Sequence, residues 1–263
     1  MARVLSVAGS DSSGGAGIQA DLKTFDAFGV YGMTAITAVT AQDTTGVGRV
    51  TILDPALVAE QMTRVQQDIG VDAVKIGMLA SEEVIRQVAK TLRDWHVPVV
   101  LDPVMRAKGG QSLLTPGAEE ALRQELLPGA TLVTPNLPEA EALIGFPVRD
   151  RTDMRRAARA LAHSGVPWVL IKGGHLDENQ AADLLWHDGQ GTWLEAPMID
   201  TVHTHGTGCT LSSAIAAQLA LGQSVPEAVR VAKEYVSEAI RQAPGLGHGH
   251  GPLNHGWRNC REP

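Results

Sequence analysis

Residues 204–210, THGTGCT, run straight into the apolar segment LSSAIAAQLALG at 211–222. Gly206 and Gly208 let the chain turn sharply and remove Cβ bulk. A helix that starts there has unpaired N–H groups and the positive end of its dipole at its first turn. Such a turn suits an anion, above all a phosphoryl group passing through a charged transition state. Gly206, Thr207, Gly208 and Cys209 are therefore candidate catalytic residues. At a helix start a thiol pKa tends to fall, so Cys209 could take a proton from a substrate hydroxyl. A glycine-started helix that binds nothing, with a small cysteine packed beneath it, is the plain alternative.

Four other stretches carry candidate chemistry. AGSDSSGGAGIQADL, residues 8–22, follows an apolar run and contains GGAG rather than a Walker-type GxxxxGK[ST]. Its glycines would let a small substrate approach closely, with Asp11 supplying polar contacts. VLDPVM (100–105) places Asp102 at the end of an apolar strand. In TPNLPEAEAL (134–143), Asn136 and Glu139 are three apart and share a face if the helix has begun. An N-cap Asn with a first-turn Glu looks the same. An acidic pair from two strand ends suits Mg²⁺, which prefers oxygen ligands and keeps its waters. IKGGH (171–175) offers Lys172, suited to nucleotide phosphates, before two glycines and His175. His203 and His205 flank the GTGC turn. His248, His250 and His255 lie in the tail, where HGHG has the look of a metal tract without the paired helical spacing.

These residues need a scaffold that brings distant turns to one edge, and the sequence pattern supplies it. Short β-branched runs at 3–8, 32–39, 72–77, 97–103, 130–136 and 168–174 read as strands. Helical patterns fall at 17–29, 55–70 (Pro55 first), 81–95 (capped by Ser81), 117–127, 137–145, 152–165, 208–221 and 225–241. Residues 183–196 read as a hairpin around Asp188-Gly189, and 40–54 as a small strand pair beside the main sheet. Repeated βα units with near-continuously apolar strands imply a parallel sheet covered on both faces. No linker, composition break or repeat divides the chain, so residues 1–263 read as a single domain with an irregular tail at 246–263.

Bulk properties narrow the class. A hydrophobic fraction of 44% suits a buried core, and a net charge of −7 argues against a nucleic-acid partner. No apolar run reaches the roughly 18 residues of a membrane helix. The opening MARVLSVAGS reads as a first strand rather than a signal peptide. Two cysteines far apart, Cys209 and Cys260, do not form a disulfide framework and suit the cytoplasm.

Taken in order, GSDSSGGAGIQADLKTF, AQDTTGV, KIGML, LDPVM, TPNLPEAEAL, IKGGH and THGTGCTLSSAIAA closely resemble the hydroxymethylpyrimidine/phosphomethylpyrimidine kinases of thiamine biosynthesis, in the ribokinase-like superfamily. The resemblance covers residues 3 to about 241. It implies an α/β, three-layer α/β/α fold with a mainly parallel central sheet and a small β lid or flap. It implies transfer of a phosphoryl group from ATP, with Mg²⁺, to 4-amino-5-hydroxymethyl-2-methylpyrimidine and then to its monophosphate. On matching positions, Gly206 to Cys209 form the anion hole, and Cys209 stands where most ribokinase-like enzymes have an Asp. Gln42 matches the residue that reads the pyrimidine. Its amide offers a donor and an acceptor, which suits a ring nitrogen beside an exocyclic amine. Gly9, Asp11, Ala16, Met78 and Val104 fall to the substrate pocket, Asp102 and Glu139 to Mg²⁺ and phosphate, and Lys172 and Asn136 to the nucleotide. A homodimer is the family-level expectation. The rivals are a pyridoxal kinase of the same branch, whose members tend to carry an apolar residue at position 42, and a non-catalytic pyrimidine sensor.

Overall fold

The computed structural model describes residues 1–106, 110–111, 113–174 and 180–258. His175 and Cys260 lie outside the described residues. In chain order the elements are β1 (Arg3–Asp11), α1 (Gly17–Ala27), β2 (Tyr31–Gln42), β3 (Val47–Ile52), α2 (Pro55–Asp68), β4 (Ala73–Ile76), α3 (Glu82–Leu92) and β5 (Val99–Leu101). There follow α4 (Ala118–Ala121), β6 (Leu132–Val133), α5 (Leu137–Ile144), α6 (Arg151–Ala162), β7 (Trp168–Ile171), β8 (Gln180–His187), β9 (Gln190–Pro197), α7 (Thr207–Ala220) and α8 (Val225–Arg241).

One sheet runs in the order β3-β2-β1-β4-β5-β6-β7-β8-β9. Its middle, β2 through β7, is parallel, and antiparallel strands close both ends. Successive strand residues alternate between two cores. Val4, Val100, Leu132 and Leu170 face a layer built on α7 and α8. Leu5, Ile76, Leu101, Val133 and Ile171 face a larger layer built on α2, α3 and α6. Strands buried on both faces explain the unbroken apolar runs.

Local chemistry sets the element ends as the sequence implies. Pro55 opens α2, and Asp54 caps it by accepting from the Ala56 and Leu57 amides. Ser81 Oγ accepts from the Val84 amide at the start of α3. Two expectations change. The segment 117–127 is not one helix: after α4 the chain passes through a π-helical turn at Leu122–Leu126 and a 3₁₀ turn at Leu127–Gly129, where Pro128 has no amide to continue the ladder. Nor is 40–54 a separate strand pair. β2 itself continues to Gln42, and β3 folds back on its end, with Ala38 opposite Ile52. Asp43 makes the reversal by accepting from the Thr45 and Gly46 amides.

The layer beneath the later site holds a buried ion pair. Lys75 on β4 donates to both oxygens of Asp21 on α1 at 2.9 Å, and both side chains are fully buried. Asp21 also accepts from Ser6 Oγ on β1 at 2.5 Å and Ser213 Oγ on α7 at 2.6 Å. Burial works against the Lys75 ammonium, but Asp21, Cys209 and Asp102 outweigh it and hold its pKa above the ordinary value. Removing one partner would strand the other charge in the core. Lys75→Met is expected to lower unfolding free energy in urea by about 3–5 kcal/mol, and Asp21→Asn added to it to recover part of that loss.

Candidate active site

The C-terminal ends of the parallel strands point to one edge, the place where open α/β sheets hold ligands. Asp11 ends β1, Gln42 ends β2, Asp102 follows β5, Asn136 follows β6 and Lys172 follows β7. A backbone bridge joins Asn136 to Lys172, with the Lys172 amide donating to Pro135 O at 2.8 Å. All the residues singled out from sequence on these strands and turns thus reach one rim.

The GTGC turn spans that rim. Gly206, at φ +83°, precedes α7 in the left-handed region that glycine adopts without strain. A Cβ there would collide with the Gly15 carbonyl of the loop after β1, so turn and loop touch through backbone. Two residues on, a Cβ at Gly208 would lie 3.2 Å from Lys172 Nζ and 3.5 Å from Asp102 Oδ2. One turn therefore joins the glycine loop to the charged cluster.

The charged cluster has its own logic. Lys172 Nζ donates to Asp102 Oδ1 at 2.9 Å and lies 3.9 Å from Glu139 Oε2. Asp102 also accepts from Thr134 Oγ1 at 3.3 Å. Asn136 and Glu139 form a reciprocal capping box at the start of α5: Asn136 Oδ1 accepts from the Glu139 amide, and Glu139 Oε2 accepts from the Asn136 amide. The pair is thus an N-cap and first-turn Glu, and the same cap holds Glu139 beside Lys172. Burial pushes the Glu139 carboxyl up to about 7, with Lys172 opposing and Asp102 adding. Among the described residues no group of three His, Cys, Asp or Glu side chains forms a metal cage. Two carboxylates at one rim have the chemistry that Mg²⁺ takes when it arrives with a nucleotide, held by one or two carboxylates, phosphates and water.

Cys209 departs from its expected pKa. It is half-buried in the first turn of α7. Burial pushes the thiol up to about 11; Lys75 pulls it down while Asp21 and Asp102 push it further up. Desolvation outweighs Lys75 and the bond from the Gly17 backbone, so the thiol holds its proton at neutral pH.

On the other side of the turn, polar and apolar side chains gather at the ends of β1 and β2. Gly9 is bare against Met78, whose methyl a Cβ would meet at 2.8 Å. Met78 clusters with Ala38 and Ala80, and Val104 packs against them. Asp11 accepts from the Ala16 amide at 2.8 Å, from Ser13 and from His205 Nε2 at 2.9 Å. Burial works against ionised Asp11, but the bonds from His205, Ser13 and Ala16 outweigh it and hold its pKa below the ordinary value. Gln42 Nε2 lies 3.3 Å from the same His205 Nε2.

The tail, given no role in the sequence reading, packs on this site. Residues 246–258 contain no helix or strand, yet their polar backbone finds partners. The His205 amide donates to Gly251 O at 3.1 Å, and the His250 amide to Thr44 O at 2.8 Å. His255 Nε2 meets Thr210 Oγ1 at 3.0 Å, and Thr210 Oγ1 also donates to Gly206 O, so His255 braces the turn from behind. Lys75, Asp21 and Ser213 are neighbours of the site that motif reasoning passed over, and His205, noted only as flanking the turn, has Asp11 as its partner. The signal existed for Lys75: a lone charge inside the apolar strand DAVKIG needs a partner.

Burial pushes His255 down to about 4, with Lys23 and His205 adding. Its ordinary value is 6.5, so the unfolded chain binds the proton first. The stability tied to neutral His255 is complete above pH 6.5 and drains as pH falls toward and through about 4. Thermal melts between pH 7.5 and 4 should show this slope in the wild type and a shallower one in His255→Gln. The Cys209 value makes a second expectation. In a Cys260→Ser background, iodoacetamide at pH 8 should modify Cys209 about a hundredfold more slowly than free cysteine, with the rate climbing toward pH 11.

Comparison with known proteins gives this geometry a family. The phosphomethylpyrimidine kinase model matches residues 11–254. The hydroxymethylpyrimidine/phosphomethylpyrimidine kinase of Streptomyces coelicolor is 54% identical over 254 residues, covering 97% of this chain and 94% of the relative. Its Escherichia coli counterpart is 48% identical, covering 95% and 96%. Among solved structures, an ADP complex of Bacillus subtilis pyridoxal kinase superposes with a TM-score of 0.93 at 42% identity, covering 99% of this chain and 100% of that one. Phosphomethylpyrimidine kinase from Clostridium difficile superposes at 0.81 with 45% identity, covering 91% and 100%. With the family's motifs gathered on one rim and its model matching almost end to end, this chain belongs to the phosphomethylpyrimidine kinases.

Proposed function

We propose that this chain phosphorylates the hydroxymethyl group of 4-amino-5-hydroxymethyl-2-methylpyrimidine and then converts the monophosphate to the diphosphate, with ATP as donor, in thiamine biosynthesis. The observation that carries the reading is the GTGC turn, which touches the glycine loop through Gly206 and faces Lys172 and Asp102 through Gly208. A hydroxyl held on one side of such a turn and a triphosphate on the other would meet at the amides that open α7.

The chain's residues have distinct tasks in this reading. The first-turn amides and dipole of α7 stabilise charge on the moving phosphoryl group. Lys172 neutralises phosphate oxygens. Asp102 and Glu139 would hold Mg²⁺, which when bound offsets triphosphate charge. The relatives' structures support the nucleotide side: one holds ADP, and a Staphylococcus aureus pyridoxal kinase holds AMP-PCP with pyridoxal. Gln42, Gly9, Ala16, Met78 and Val104 receive the ring. Cys209 orients the hydroxyl, and it accepts the hydroxyl proton only as the thiolate, after its own proton has passed to solvent. A loose transition state asks little of a base before the phosphoryl group has begun to move, so a small thiolate fraction at rest is compatible with the role.

Pyridoxal is the second reading, favoured by the pyridoxal kinases among the structural neighbours. Gln42 supports the aminopyrimidine, because an amide matches its paired donor and acceptor. We place the reaction in the cytoplasm, where thiols stay reduced. No helix among the described residues is long and apolar enough to cross a membrane. We also propose a homodimer through the β2–β3 flap, where Val39, Val50 and Ile52 are exposed.

A coupled ATPase assay with hydroxymethylpyrimidine, its monophosphate and pyridoxal tests the choice. Higher kcat/KM on the two pyrimidines is expected, and a much higher value for pyridoxal would reverse it. Cys209→Ala should lower kcat by at least ~10²-fold. Near-normal turnover in that variant would remove the thiol from proton transfer.

A further inference from the structure

Gln42 can face a ligand in two ways, since a carboxamide may be turned end for end, and its neighbours decide between them. His205 Nε2 stands 2.9 Å from Asp11 Oδ2 and 3.3 Å from Gln42 Nε2. Asp11 is ionised, held so by His205, Ser13 and Ala16, and an ionised carboxylate only accepts. His205 Nε2 must therefore carry a proton. A protonated Nε2 facing an amide NH₂ sets two donors against each other.

The far end of the amide repeats the conflict. Thr40 Oγ1 lies 3.2 Å from Gln42 Oε1 and 2.9 Å from Ser10 O. Its single proton goes to the closer Ser10 carbonyl, which leaves an oxygen facing an oxygen. Turning the amide end for end relieves both contacts at once. Gln42 Oε1 then faces the one Nε2 proton, which His205 gives chiefly to the closer Asp11 Oδ2, as the longer branch of a shared bond, and Gln42 Nε2 donates to Thr40 Oγ1. One lone pair and one N–H remain, side by side, in a fixed order.

We propose that His205, oriented by Asp11, is a specificity-determining positioning residue: it fixes which end of the Gln42 amide is the acceptor, and so selects a ring bearing an amine next to a ring nitrogen. This rests on the aminopyrimidine reading above. The reversed amide would face the amine with NH₂ and the ring nitrogen with oxygen, losing both bonds. His205 is itself well fixed. It is 5% exposed, its amide is tied to Gly251 O, and Gly15 leaves space where a Cβ would come within 2.5 Å of its ring.

Calorimetry with 4-amino-5-hydroxymethyl-2-methylpyrimidine and its 4-desamino analogue tests the assignment. The wild type should prefer the amino compound by about tenfold or more, the scale of a paired hydrogen-bond readout. His205→Leu should bring the two affinities within about twofold by weakening the amino compound alone. His205→Gln, whose amide N–H can replace Nε2–H, should restore most of the preference. Retained preference in His205→Leu, equal weakening of both ligands, or a His205→Gln that behaves like His205→Leu would overturn the inference. A wild type that binds neither compound, or both alike, would instead overturn the aminopyrimidine reading on which it stands. Nitrogen-15 spectra of the wild type give a check free of folding defects: Nε2-protonated His205 is expected, and a bare Nε2 would sink the proposal.

Discussion

Asp21 is the point on which four elements converge. It rides on α1 and accepts from Lys75 on β4, Ser6 on β1 and Ser213 on α7. The bond to Ser213 helps orient α7, which has no exposed face over this stretch: every residue from Thr210 through Leu219 is buried. A helix buried all round gains little from one rotation over another by burial alone. The carboxylate supplies the missing direction. Ser213 lies one turn beyond Cys209 on the same helix face, so the bond that sets one sets the other. The first-turn amides and the thiol are aimed by a charge buried behind them.

That buried charge also shapes the chemistry in front. Lys75 is satisfied by Asp21 beneath the rim and Lys172 by Asp102 and Glu139 at it, so both ammonium groups are already matched by carboxylates. Cys209 feels both sides: Lys75 favours its thiolate, while burial, Asp21 and Asp102 disfavour it. A phosphoryl group at the turn would bring negative charge that Lys172 and the helix amides are placed to meet. Such a site works by position and fixed charge, with little covalent chemistry asked of the protein.

The scaffold could be read from the chain because its signals are local and periodic. RVLSVA, DAVKIG and WVLIKGG announce buried strands by composition, and Pro55, Ser81 and Gly206 mark helix starts by their own backbone chemistry. The strand-end residues Asp102, Asn136 and Lys172 follow from the same logic, since parallel strands deliver their ends to one edge. Pairings across the chain are another matter. Nothing near Asp21 says that Lys75 and Ser213 complete it, and nothing near His205 says that Asp11 lies against it 194 residues away. The thiol misled for a related reason. Its place at a helix start is local, but the burial that overrides that place comes from elements distant in sequence.

The tail carries this to its limit. LGHGHGPLNHG has no period, no charge run and no strand composition, so pattern reasoning assigns it nothing. Its value lies in backbone that can approach other backbone. A Cβ at Gly249 would strike Thr44 O, and one at Gly251 would come within contact of Leu246 O and His203. The glycines let an irregular strip lie flat across the flap turn at Thr44 and the loop before α7, while His250 Nδ1 meets Val202 O in that loop and His255 Nε2 meets Thr210 in α7. Flap, turn and tail thus share hydrogen bonds, and a movement of the flap toward a ligand would be felt at His205 and Thr210. The segment least legible in the sequence is the one that ties the turn at Thr44 to the start of α7.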